Sequence, residues 1–287
     1  MTLAPDPIRV LERVIRPAPL GLMVWDPVLG APIKAGLDIV VQPANRPAQQ
    51  IRLSANKSGI WIAGGLPGRA SFDLPNPPRT FRITIADLSG DFLPTAFDAD
   101  LPAGGLYGWP GWAGLAQPLL APLQPLADRI PLFSSPVRQV GEPRAEVRCQ
   151  LAERSTGRPA AWALVTASHA GVVCAMAMAD AEGRASLLFP YPLRPRPSLA
   201  TSPPAITDYR WPLEMTAYYQ PAATNPAAIP DLAAVFAQLA HPVTLWRSTQ
   251  GAGTPLPAAL LTLGQPLVLR TETTAQGPSS RLMLGQP

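Results

Sequence analysis

The chain has 287 residues, 47% of them hydrophobic, with 38 Pro, 22 Gly, 23 basic and 19 acidic residues and a formal net charge of +4. Length and apolar content allow a real core and two domains. Seven Trp, seven Phe and long Val/Ile/Leu alternations exclude a disordered chain, and the prolines argue against long helices. The basic residues are scattered and form no stripe, so no nucleic-acid partner is expected. The segment 1–7 lacks the basic and apolar regions of a secretory leader, and no run of 18 apolar residues exists. No membrane span is expected, and the expected location is cytoplasmic. Only 15% of residues are charged, against about 25% in an average domain. So sparse a charge suggests that other protein subunits cover much of the surface.

Residues 1–19 place Pro5, Pro7, Pro17 and Pro19 around Ile8–Ile15 and read as an N-terminal arm or lead-in strand. A first β-sandwich is expected over 20–102. Its strands are Leu22–Trp25, Leu37–Val41, Gln50–Leu53, Gly59–Ala63 and Arg79–Ile85, the last with clean period-two alternation. Asp87–Asp91 reads as a hairpin turn, followed by a strand to about Phe97. Residues 103–141 lose the alternation and read as a Pro/Gly-rich connector that is apolar. Solvated linkers are polar, so this one must lie on its own two domains or on a neighbouring chain.

A second sandwich is expected over 142–222, with strands Ala145–Leu151, Ala161–Ala167, Gly171–Met176, Ala185–Phe189 and Trp211–Tyr219. A Pro/Ser-rich excursion, 190–204, interrupts it. The C-terminal extension, 223–287, holds one helix over 231–240. Asp231 can cap it, and Leu232, Val235, Phe236 and Leu239 form one apolar face. Short strands follow at Leu260–Leu263, Leu267–Arg270 and Arg281–Leu284.

One pattern occurs twice. Gly30-Ala31-Pro32 leads through alternating strands to Lys57-Ser58-Gly59-Ile60-Trp61-Ile62. Gly157-Arg158-Pro159 leads similarly to Asp180-Ala181-Glu182-Gly183-Arg184 and the strand beyond. Such a repeat sets the architecture before any local assignment. The phrase Gly-x-Pro, strand, Asp-x-x-Gly, strand resembles the carboxypeptidase regulatory-like (transthyretin-like) domain. Gly157, Pro159, Asp180 and Gly183 match it best, while Asn56 stands where that family usually has Asp. The resemblance implies an all-β chain: two tandem transthyretin-like β-sandwiches, a Pro-rich apolar connector and an extension with one short helix. It also implies an accessory or assembly role, by analogy of fold. The tandem arrangement, with Ile130–Pro136 at the boundary, further resembles accessory components of phage-tail-like contractile particles.

Catalytic, cofactor and metal sites are not expected. His169 and His241 lie in different halves without convergent partners, and clustered Cys/His ligands for zinc are missing. Gly64–Gly68 has no following Lys-Ser/Thr, so it reads as a turn and not a phosphate cradle. Asp98 and Asp100 read as exposed acids more readily than as calcium ligands. Cys149 and Cys174 read as core thiols, with a disulfide as the alternative.

The residues expected to form an interface are Trp109, Trp112, Leu119, Leu120, Phe133 and Phe236. For the two Trp rings, two readings stand: a seal between the sandwiches, or an exposed platform for sugar or protein. The expected function is a non-catalytic structural or adaptor subunit that is oligomeric in its assembly. The alternative is a carbohydrate- or peptide-binding accessory module.

Overall fold

A computed structural model of the chain describes residues 18–45, 48–66, 77–115, 117–124, 128–141, 144–193, 209–221, 225–247, 254–271 and 281–285. Nearly all of the expected N-terminal arm lies outside these residues. So do Pro67 and Gly68 of the Gly-rich loop and most of the excursion after Leu193. The described chain is all-β, a multi-sheet sandwich type of fold with one short helix toward the C-terminus.

The first half forms two sheets. One contains β1 (Leu20–Asp26), β2 (Ala31–Pro32), β5 (Ser54–Ala55) and β6 (Ile60–Ala63). The other has the order β4 (Ile51–Arg52), β3 (Leu37–Pro43), β7 (Arg79–Asp87), β8 (Thr95–Leu101). Period-two patterning decides which side chains turn inward. Leu20, Leu22 and Val24 of β1 join Leu37, Ile39 and Val41 of β3 and Phe81, Ile83 and Ile85 of β7 in one buried cluster.

The second half repeats the pairing. β10 (Ala145–Glu153) pairs antiparallel with β13 (Arg184–Phe189), as β1 does with β6. β11 (Leu164–His169) pairs with β12 (Val172–Met178) and β14 (Arg210–Tyr218), as β3 does with β4 and β7. The turns repeat in atomic detail. Asn56 Oδ1 accepts the Ser58 and Ile60 amides at 2.9 and 3.0 Å. Asp180 Oδ1 accepts those of Glu182 and Arg184 at 2.9 and 2.8 Å. Gly59 and Gly183 both adopt the left-handed conformation, with φ of 82° and 76°. Asn substitutes for Asp because the turn needs only a side-chain oxygen acceptor.

The repeat reaches further than its turns. Within the expected connector, β9 (Arg129–Pro131) runs parallel to β1 and pairs with Met23, Val24 and Trp25. Within the expected extension, β18 (Arg281–Gly285) runs parallel to β10, pairing with Gln150, Leu151, Ala152 and Glu153. Met23, Val24 and Trp25 lie as far ahead of Gly30 as Gln150, Leu151 and Ala152 do ahead of Gly157. Just before them, Leu106 bridges Gly21, and β17 (Leu267–Val268) pairs with Val147 and Arg148 in the same parallel sense. Connector and extension thus each contribute a strand that pairs into a sheet of its half. Both strands belong to segments that the sequence reading set beside the sandwiches, 103–141 and 223–287. Three residues, one of them Pro131, carry no alternation to read, and a parallel pairing so distant in sequence leaves no local trace.

Two departures separate the halves. β8 is continuous along β7, whereas its counterpart is split into β15 (Pro242–Trp246) and β16 (Ala259–Thr262), both paired with β14. β15 also pairs with β18, so the two sheets of the second half join into one: β12-β11-β14-β15-β18-β10-β13. In addition, the turn Asp87–Asp91 between β7 and β8 is replaced between β14 and β15 by a longer excursion. That excursion contains the helix. The strand expected from Ala161 begins only at Leu164, because Trp162 turns the chain with φ of 61°.

Candidate functional site

The residues expected as an interface converge on the junction between the two halves. The helix, here α2 (Leu232–Ala237), starts where expected, with Asp231 Oδ1 accepting from the Ala233 and Ala234 amides at 2.9 and 3.2 Å. A short 3-10 turn, Gln238–Ala240, extends it to the expected end. Its apolar face crosses onto the first sandwich. The Phe236 ring lies 5.4 Å from Trp109, 5.1 Å from Trp112 and 6.0 Å from Phe133, between centroids. Trp109 and Trp112 meet edge to face at 4.9 Å, a favoured aromatic geometry. Gly111 permits it, since any Cβ there would collide with the Trp109 ring.

All of these rings are interior. Trp109 and Trp112 are 7% and 6% exposed, Leu120, Phe133 and Phe236 are buried, and Leu119 packs partly buried against the same cluster. The six residues join the halves of one chain and do not present an outer surface. The exposed platform is therefore set aside and the seal stands.

Polar contacts fix the helix in place. The second carboxylate oxygen of Asp231 pairs with Arg82 of β7, which also holds Asp98 at 3.1 Å. The Ala96 amide of β8 donates to the Pro230 carbonyl at 3.0 Å. Gln238 is wholly buried; its Nε2 donates to the Trp162 carbonyl at 2.9 Å and its Oε1 accepts from the Gln220 amide at 3.2 Å. Trp162 is a bulky residue in the left-handed region, which carries strain. Its indole donates to the Asn225 carbonyl at 3.1 Å, so both faces of the turn are tied to the excursion that carries α2.

The clasp is reciprocal. In the first half's connector, α1 (Gln117–Leu120) and the turn Ala121–Leu123 pack against β12 of the second half. A buried ion pair anchors the other end of the connector. Arg138 donates to Asp26 Oδ1 at 3.1 Å and to Ser134 Oγ at 2.9 Å, and its guanidinium lies 4.4 Å over the Phe92 ring. Both ion-pair side chains are 5% exposed. Nothing in the sequence marked Arg138 or Gln238: each is a lone polar residue whose partners lie far along the chain.

Between the clasped halves lies a cavity of about 310 Å3. Cys174, Ala175 and Met176 of β12 and Ser186, Leu188 and Phe189 of β13 line it from the second sandwich. The turn Pro27–Gly30 and Leu132–Ser134 line it from the first.

The remaining candidates hold ordinary contacts. His169 Nδ1 lies 2.9 Å from the Pro212 carbonyl, and His241 is exposed. Asp98 serves Arg82, and Asp100 accepts from Thr80 Oγ1 at 2.8 Å. Among the described residues no cluster of three or more His, Cys, Asp or Glu is placed to hold a metal. Cys149 and Cys174 are free thiols, the first buried and the second partly exposed, so the disulfide alternative falls away. Burial pushes the Cys149 thiol up to about 12 and raises that of Cys174. No helix among the described residues is long and apolar enough to cross a membrane.

No protein-family model matches the sequence, and no curated protein matches it. Among solved structures it is similar to the Bacillus anthracis TIE protein, at 10% identity and a TM-score of 0.25. That match covers 87% of this chain and 32% of that one, so this chain spans about a third of that protein's length. A likeness this distant carries no argument about role.

Proposed function

We propose that this protein is a non-catalytic structural or adaptor subunit built from two transthyretin-like (carboxypeptidase regulatory-like) sandwiches. The supporting observation is the reciprocal clasp. Two binding modules that act independently are joined by a polar, flexible linker. Here Trp109, Trp112, Phe133 and Phe236 are buried in fixing one orientation between the halves. A body that holds geometry is what an assembly needs from a part that docks on one partner and presents another. The sparse charge, and exposed apolar side chains such as Leu88 (76%) and Val137 (70%), fit cover by protein subunits.

Within this reading the protein works as an oligomer or with other subunits, in the cytoplasm, and enters a phage-tail-like contractile particle at its collar, cap or baseplate. Size-exclusion chromatography with light scattering tests it on the full chain, purified alone and from its native host. An oligomer or a stoichiometric complex is expected. A lone monomer in both preparations that is retained on a glycan or peptide array would replace it with the accessory binding module.

A further inference from the structure

The cavity exists because the second sandwich leaves open a seam that the first closes. In the first, the chain leaves β3 after Arg52 and crosses sheets, so that Ser54 and Ala55 pair with Ile62 and Trp61 of β6. In the second, β12 stays on β11 as far as Met178, and among the described residues β13 pairs only with β10. Away from the turn that joins them, β12 and β13 leave a wedge, and the first sandwich walls off its far side.

The lining is two-sided in character. Met176, Phe133, Leu132 and Phe189 supply an apolar body, with the neutral polar groups of Gln124 and Ser186 beside it. Arg144 is the one charged side chain among the lining residues. Arg144 already holds one interaction, but a guanidinium carries five N–H donors and can hold more than one acceptor. A volume of about 310 Å3 falls in the range of small-molecule sites, which favour the junctions between domains.

We propose that this cavity binds a small amphiphile with an apolar chain or ring and a single carboxylate. The carboxylate meets Arg144, and the apolar part lies between β12, β13 and Phe133. The inference is independent of the assembly role. Burial raises the pKa of the Cys174 thiol at the cavity wall, and Cys149, buried and outside this cavity, is an internal control.

The test uses the full chain with decanoate and decyltrimethylammonium as probes. Calorimetry should give saturable one-to-one binding of decanoate, at least about tenfold tighter than the cation of equal chain length. Arg144→Gln should weaken decanoate about tenfold and leave the cation unchanged. Decanoate should also slow alkylation of Cys174 by iodoacetamide while Cys149 stays unmodified. If Arg144→Gln loses its cooperative melt, the two probes and the alkylation rate on the unmodified protein decide. Non-saturable binding, equal affinity for both probes, or no protection of Cys174 would overturn the proposal.

Discussion

The two halves share a pairing diagram and differ in how tightly each closes. The first is shut at its seam by the sheet-crossing of Ser54 and Ala55, and its β7–β8 hairpin turns in the few residues around Asp87–Asp91. The second leaves its seam open and expands the equivalent hairpin into the excursion that carries α2. The same divergence that cost the second half a closed sandwich gave the chain its clasp and its cavity.

The comparison is most sharply tested at the paired turn glycines. A Cβ on Gly183 would press onto the Leu151 backbone carbonyl, whereas one on Gly59 would meet Lys34 Cγ at 2.9 Å, a side-chain atom that must shift. Gly183→Ala is expected to lose on the order of 5 kcal/mol, or to fail to fold, in denaturant titration. Gly59→Ala should lose only about 2 kcal/mol, the left-handed strain of an Ala plus a shift of the Lys34 side chain. Equal losses would mean that the two turns are not as differently packed as described.

Next in size is the clasp. Phe236→Ala should cost about 4 kcal/mol and split one thermal transition into two, because it empties the cluster that couples the halves. A single transition with an unchanged midpoint would sink the coupling. Arg138→Met should cost about 3 kcal/mol, since it strands the buried Asp26 carboxylate.

The smallest effect is alkaline. Burial, then the charges of Asp100 and Asp98, push the Tyr107 hydroxyl from 10.0 up to about 12. The unfolded chain therefore ionises first, and the stability present below pH 10 is lost as the pH rises toward about 12. Tyr107→Phe should flatten that loss in pH-dependent melting. An unaltered alkaline slope would remove Tyr107 as its source.

Legibility differed by region. The strands around Leu22–Trp25, Arg79–Ile85, Ala145–Leu151 and Trp211–Tyr219 were readable because alternation and burial share one period. The helix was readable because its cap and apolar face are local. The site was readable in composition and not in place: Trp109, Trp112, Phe133 and Phe236 were recognisable as contact residues, but not as contacts to one another. Arg138, Gln238, Arg144 and the β12–β13 seam left no signal, since each depends on a partner distant in sequence.

The amino-acid order by itself determined the all-β class, the duplicated turn chemistry and the capped helix. Each follows from forces acting within a few residues: side-chain alternation, positive φ at glycine, and a carboxylate on free amides. Only the tertiary structure decided that β9 and β18 pair into a sheet of their halves, that the aromatic residues turn inward, and that one seam stays open. Those outcomes are set by burial between segments far apart in sequence, and non-local packing has no fixed spacing along the chain from which it could be read.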